Sequence, residues 1–311
     1  MRRVSILLAL LGVAAAAALF VHFNAAEVAG AVLSIGWGGA ALLLAIQGGL
    51  FCLLGLAWAV VQPGIRPRLL IWGRMVRDAA TTCLPFSPVG GYVIGIRAVT
   101  LRGPTWTQAA GGTVVDVTAE ITAQLLFSLF GVGVLLLARP GSDLIVPVGA
   151  GASAALVGLG VAVWQRARIG RVLGGLAAKL VGATAVQAAT LGQQAQLLYA
   201  GHARLSGAVF LHFAGWMVTG VATWLGLRLL GLAPELVSVL ALEALIDAVI
   251  AVAFVAPGAV GVQEAGYVGL GAVFGIPPDL ALGVSLLRRG REVIWGLPIL
   301  AIWQWQEVRR L

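Results

Sequence analysis

Thr113, Asp116, Glu120 and Gln124 recur at spacings of three and four, which places all four on one face of a helix. Their segment, Thr105–Ala138, is otherwise apolar and long enough for a tilted membrane span. An acid in a span costs about 2.5–3.5 kcal/mol on insertion scales, so this face is expected to point into a helix bundle. Adjacent carboxylates repel unless one is protonated or a cation lies beside them. Arg97 is the nearest cation in sequence for that role. The alternative is a helix start still at the interface, with Asp116 solvated. Glu243 and Asp247 repeat the i, i+4 pattern, as do Arg288 and Glu292, and Glu264 lies in a glycine-rich stretch. For Arg288 and Glu292 the plainer reading is an ion pair on a helix surface. Acids on several segments facing arginines on two describe a polar interior of both signs. Such an interior suits a zwitterionic or anionic headgroup, or a proton-coupled step.

Other chemistries find little support. No Walker pattern is present, and the glycine-rich runs do not follow a strand. His22, His202 and His212 are scattered without zinc spacing, and Ser87 stands beside no histidine. Cys52 and Cys83 lie in apolar stretches without ligand or disulfide spacing and are expected to be buried thiols. No cofactor, no metal and no nucleic-acid partner is predicted, and the sequence sets no oligomeric state.

Two segments must position these charges. Leu84–Ala98 (LPFSPVGGYVIGIRA) carries Pro85, Pro88, Gly90 and Gly91 in an apolar context. Each proline lacks an amide donor and disfavours helix at the preceding residue. The glycine pair allows close approach of a ligand or of another helix. A continuous membrane helix is not expected here. Broken backbone at membrane depth persists only when it is buried in protein or lines a cavity, and paired broken helices are a usual pointer to a transporter's binding site. The plain alternative is a cytoplasmic loop. Ala256–Gly275 (APGAVGVQEAGYVGLGAVFG) is the second such segment.

Composition sets the class. Hydrophobic residues make up 60% of the 311 and charged residues 10%, and apolar runs long enough to cross a bilayer recur. An all-α, polytopic integral membrane bundle is predicted, with about 8 membrane segments including the two broken elements. The net charge of +8 comes from basic residues between apolar runs, as expected for cytoplasmic loops. Met1-Arg2-Arg3 before Val4–Phe23 resembles a signal peptide, but the spans that follow favour an uncleaved first span.

Further spans are expected at about Ile35–Val61, Leu144–Trp164, Leu205–Leu230 and Leu236–Ala256, and a final apolar segment follows Pro277-Pro278-Asp279. Arg66, Arg68, Arg74 and Arg77 with Asp78 mark a cytoplasmic stretch, as do Arg166, Arg168 and Arg171. Ile71–Leu84 and Tyr92–Leu101 read as short helices, and Val172–Ala203 as an amphipathic surface helix. Basic ends favour cytoplasmic N- and C-termini. The broken segments echo one another in their Pro, Gly, Tyr and Gly, which suggests a two-fold repeat of roughly 1–140 and 172–311 within one domain, 1–311.

These motifs resemble the lysylphosphatidylglycerol synthase transmembrane-region family, also called the flippase-like domain family. Its first motif, proline, then Gly-Glu or Gly-Gly, then arginine, is matched by Pro85, Gly90-Gly91 and Arg97. Its later motif, Pro-Gly-x-x-Gly-x-x-Glu, is matched by Pro257, Gly258, Gly261 and Glu264, and Val114-Val115-Asp116 matches a further stretch. Gly91 stands where many relatives have glutamate, and Gly91-Tyr92 through Arg97-Ala98 looks closer to the hopanoid-biosynthesis-associated members. The resemblance implies a bacterial inner-membrane protein that handles lipids. It does not imply aminoacyl transfer, which belongs to a separate soluble domain for which this sequence has no room.

The resulting expectation is a non-enzymatic lipid translocator for a hopanoid or anionic phospholipid. Its headgroup cavity would be lined by Pro85, Gly90, Gly91, Arg97, Asp116, Glu120, Pro257, Gly258, Gly261, Glu264, Arg288 and Glu292. The alternatives are a non-catalytic membrane partner of lipid-biosynthesis enzymes and a membrane-embedded lipid-modifying enzyme.

Overall fold

The computed structural model describes residues 33–84, 88–138, 141, 185–252 and 259–309. The expected spans at Val4–Phe23 and Leu144–Trp164, together with Pro85, Pro257 and Gly258, lie outside the described residues. Nine helices and no strand occur among those residues. In chain order they are α1 (Gly36–Val61), α2 (Pro67–Cys83), α3 (Pro88–Thr100), α4 (Trp106–Ala138), α5 (Ala185–Tyr199), α6 (His202–Leu229), α7 (Leu236–Val252), α8 (Val262–Val273) and α9 (Pro278–Val308).

Helices α1, α4 and α6, of 26, 33 and 28 residues, are long and apolar enough to cross a membrane. At 1.5 Å per residue each exceeds the ~30 Å hydrocarbon thickness. α4 and α6 are central. α4 packs on α1, α3, α5, α6 and α7, and α6 packs on α1, α4, α7 and α9. Close approach follows from small residues, the usual device where apolar burial gives no net drive between helices in lipid. Gly131 of α4 lies against Ala241 and Ala244 of α7, where an added Cβ would sit 2.7 Å from the Ala244 Cβ.

The apolar contacts form two main cores. One joins Trp58 of α1, Leu70 of α2, Val99 of α3, Val115 of α4 and Leu191 of α5. The other joins Leu227 of α6, Leu242 and Ile246 of α7, Tyr267 of α8 and Val284 of α9. Cys52 corrects the expectation of two buried thiols: it is exposed on the outer side of α1, and Cys83 is partly exposed.

Both broken segments are breaks in the fold. α2 ends at Leu84, whose backbone is extended (φ −103°, ψ 147°), and α3 starts at Pro88, the helix position that tolerates proline best. Gly90 and Gly91 lie within α3, not in the break itself. Gly91 allows the α2–α3 hairpin to close, since a Cβ there would meet Thr81 and come within 2.9 Å of the Arg77 carbonyl. At the second segment the backbone enters left-handed φ at Ala259 (47°) and Gly261 (80°), and α8 begins at Val262.

Candidate functional site: two buried charge clusters

The first cluster forms where α2, α4 and α6 meet. α2 presents Arg74 and Arg77, α4 presents Asp116 and Glu120 one turn apart, and α6 adds His212. Arg74 Nη2 and Arg77 Nη2 donate to the two oxygens of Glu120, each at 2.7 Å. Arg77 Nη1 donates to Asp116 Oδ2 at 3.1 Å, and Arg74 Nε donates to Asp78 Oδ2 at 2.7 Å. His212 Nε2 lies 2.9 Å from Asp116 Oδ1. The Arg77 guanidinium also sits over the Tyr92 ring of α3, 4.8 Å from its centroid. Asp116 and His212 are fully buried. Charges in such a setting persist only when paired and hydrogen-bonded.

The second cluster forms between α6, α7, α8 and α9. Arg288 spans two acids of α7: its Nη1 bonds Glu243 Oε1, and its Nη2 donates to Asp247 Oδ1 at 2.8 Å. Tyr267 Oη and Thr223 Oγ1 both donate to Glu243 Oε2, at 2.6 and 2.8 Å. Glu292 approaches Arg288 Nε at 3.5 Å. Beside this cluster, Glu264 Oε2 accepts from the Gly261 amide at 2.8 Å, and its Oε1 accepts from Arg289 Nε at 2.8 Å. Glu264 therefore caps α8 and neutralises a neighbouring arginine.

The expected residues thus divide. Asp116 and Glu120 belong to the first cluster, and Arg288 and Glu292 to the second, with Gly261 and Glu264 at its edge. Arg97 does not join either, which corrects its reading as the cation beside Asp116 and Glu120. It is half exposed and pairs with Glu307 at 2.6 Å, while Arg74 and Arg77 hold the acids assigned to it. The arginines read as one cytoplasmic mark divide by burial: Arg66 and Arg68 are exposed, but Arg74 and Arg77 are buried. Their signal was spacing, since Arg74, Arg77 and Asp78 fall on one side of α2. His212, Thr223 and Tyr267 were also missed; a single polar residue in an apolar helix carries no spacing to read.

Carboxylates outnumber guanidinium groups in both clusters. Two guanidinium groups face Asp78, Asp116 and Glu120 in the first. Arg288 faces Glu243, Asp247 and Glu292 in the second. His212 Nδ1 and Asp247 Oδ2 are buried and have no hydrogen-bond partner among the described residues. The arrangement can hold a cationic group or carry a proton.

A family model for the lysylphosphatidylglycerol synthase TM region matches residues 4–299. The chain belongs to that family. No curated protein and no solved structure matches it. Membership of the lysylphosphatidylglycerol synthase TM region family, with the all-helical fold and its three long apolar helices, makes this an integral membrane protein of a family linked to lipid metabolism or transport. The family match covers every residue of either cluster, the last of which is Glu292.

Proposed function

We propose that this chain translocates or otherwise handles a lipid, by moving its headgroup past the buried clusters and without chemical turnover. The observation that carries the reading is the pairing of carboxylates that outnumber guanidinium groups with unused hydrogen-bonding atoms in a buried setting. Desolvated carboxylates cost free energy, and a buried polar atom left unbonded costs about 1–3 kcal/mol. A fold that retains both has polar capacity beyond what its own packing uses. Headgroup hydroxyls, which donate to carboxylates, or a proton would use it. Family membership supports the lipid as the cargo class. Within that class, the resemblance of the Gly91-Tyr92 motif of α3 to the hopanoid-biosynthesis-associated members favours a hopanoid, with an anionic phospholipid as the other candidate.

The same proposal places the protein in a bacterial inner membrane with both termini cytoplasmic. Exposed Arg66 and Arg68 support this orientation, because arginine-rich connections stay on the cytoplasmic side. A cysteine introduced at Arg68, in a Cys52→Ala, Cys83→Ala background, is expected to react only with reagent added to the cytoplasmic face. Reaction from the outer face alone would reverse the orientation.

The activity is tested with the purified chain in liposomes carrying headgroup-labelled phosphatidylglycerol in one leaflet. Faster loss of leaflet asymmetry than in protein-free vesicles is expected, with the lipid recovered intact. Lipid turned over without movement would replace transport by catalysis. Neither movement nor turnover for several headgroups would remove the reading.

A further inference from the structure

We propose that the lateral groove between α1 and α9 is a binding site for an anionic phospholipid, with the lipid phosphate on Arg291. The groove has a volume of about 380 Å³ and opens on the side of the bundle. Trp37, Leu43 and Leu44 of α1 and Leu286, Leu287 and Ile294 of α9 line it. Trp295 Nε1 donates to the Leu44 carbonyl at 2.9 Å, and this bond ties the two helices together at one end of the groove.

The lining is apolar except for Arg291, which is 4% exposed. Its Nε has no hydrogen-bond partner among the described residues. The neighbouring arginines of α9 are paired, Arg288 with Glu243 and Asp247 and Arg289 with Glu264, whereas no ion pair reaches Arg291 among the described residues. A buried guanidinium that no carboxylate bonds is costly, and the acids of the adjoining cluster are bonded to Arg288, so the groove joins an apolar wall to a cation with an open donor. A diacyl phosphodiester matches both parts. Acyl chain covers the leucines, and phosphate oxygens accept from the guanidinium in the fork geometry that arginine favours.

A narrow cleft continues inward past Leu43, Leu287 and Arg291 to Thr223 and Arg288. The site therefore adjoins the second cluster but does not depend on lipid movement.

Native mass spectrometry of the full chain in detergent tests the site, with titration of phosphatidylglycerol and of phosphatidylcholine with the same acyl chains. The wild type is expected to bind one phosphatidylglycerol in preference, and Arg291→Gln to weaken that binding about tenfold, the lower end for a lost charge-assisted hydrogen bond. Gly290→Leu fills the groove, because nothing lies within 4 Å of a Cβ there, and is expected to abolish the preference without loss of fold. Gly133→Leu, equally open but on α4, is the control and is expected to bind as the wild type does. Equal binding of the two lipids by the wild type would overturn the proposal, as would undiminished phosphatidylglycerol binding in Gly290→Leu. If Arg291→Gln does not fold, Gly290→Leu decides alone. A dimer that Gly290→Leu dissolves would give the groove to a second copy. Lipid-free protein that both variants destabilise would give it to the chain's own residues 1–32. Either result overturns the lipid assignment.

Discussion

Gln124 Nε2 donates to the main-chain carbonyl of Asp247 at 3.1 Å. This bond joins the two charge clusters, because Gln124 lies one turn beyond Glu120 on α4 and Asp247 is an acid of the second cluster on α7. The two acid-bearing helices are thus packed through Gly131 and hydrogen-bonded at the level of their charges. Gln124→Met keeps the bulk and removes the donor. It is expected to lower unfolding free energy by about 0.5–1.5 kcal/mol, the usual worth of such a bond. Thermal unfolding in detergent measures this, and an unchanged midpoint would deny the bond a role in holding α4 to α7.

Burial separates the arginines. Arg77→Gln leaves Asp116 and Glu120 short of a cation in a dry site, and removing one partner of a buried pair costs about 3–5 kcal/mol. Arg97→Gln breaks only an exposed pair with Glu307, worth about 1 kcal/mol at most. Thermal midpoints of the two variants are expected to differ widely, with Arg97→Gln close to the wild type. Equal losses would contradict the placement of Arg77 inside and Arg97 outside.

Glu264 is expected to couple to Arg289 and not to Arg97. In a double-mutant cycle, Glu264→Gln with Arg289→Gln should be less damaging than the sum of the single changes, because both single changes remove the same contact. Glu264→Gln with Arg97→Gln should be additive. Additivity in both cycles would leave Glu264 with its capping role alone.

Gly91→Ala tests the α2–α3 hairpin. Its methyl would meet Thr81 and the Arg77 carbonyl, so α3 must shift from the helix that carries Arg74 and Arg77. Overpacking of this kind costs about 1–3 kcal/mol, and the expected sign is a fall in the unfolding midpoint. A stabilised or neutral variant would show that the two helices are not held this close.

Much of the fold was legible. Ile35–Val61, Thr105–Ala138 and Leu205–Leu230 were expected as spans and appear as α1, α4 and α6 with ends shifted by a few residues, since long apolar runs leave helix as the only economical backbone. Prolines and glycines signalled both breaks for local steric reasons. The acid pairs Asp116/Glu120 and Glu243/Asp247 were legible because i, i+4 spacing survives into three dimensions. Their partners were not. Nearness in sequence pointed to Arg97, but the α2–α3 hairpin turns Arg97 outward to Glu307 and brings Arg74 and Arg77 against α4. A cluster of arginines after Pro63-Gly64 has the composition of a cytoplasmic connection, and composition does not record which side of a helix faces protein.

The most direct test places conservative charge removals in the leaflet-asymmetry assay. Glu243→Gln and Asp116→Asn keep shape and most hydrogen bonding but remove one acid from each cluster, whereas Arg97→Gln alters a charge outside both. If the buried clusters carry lipid headgroup movement, the two acid variants, at wild-type level and fold, lose at least about tenfold in rate, equivalent to ~1.4 kcal/mol in the barrier, and Arg97→Gln moves lipid as the wild type does. Wild-type rates in well-folded Glu243→Gln and Asp116→Asn would contradict the account.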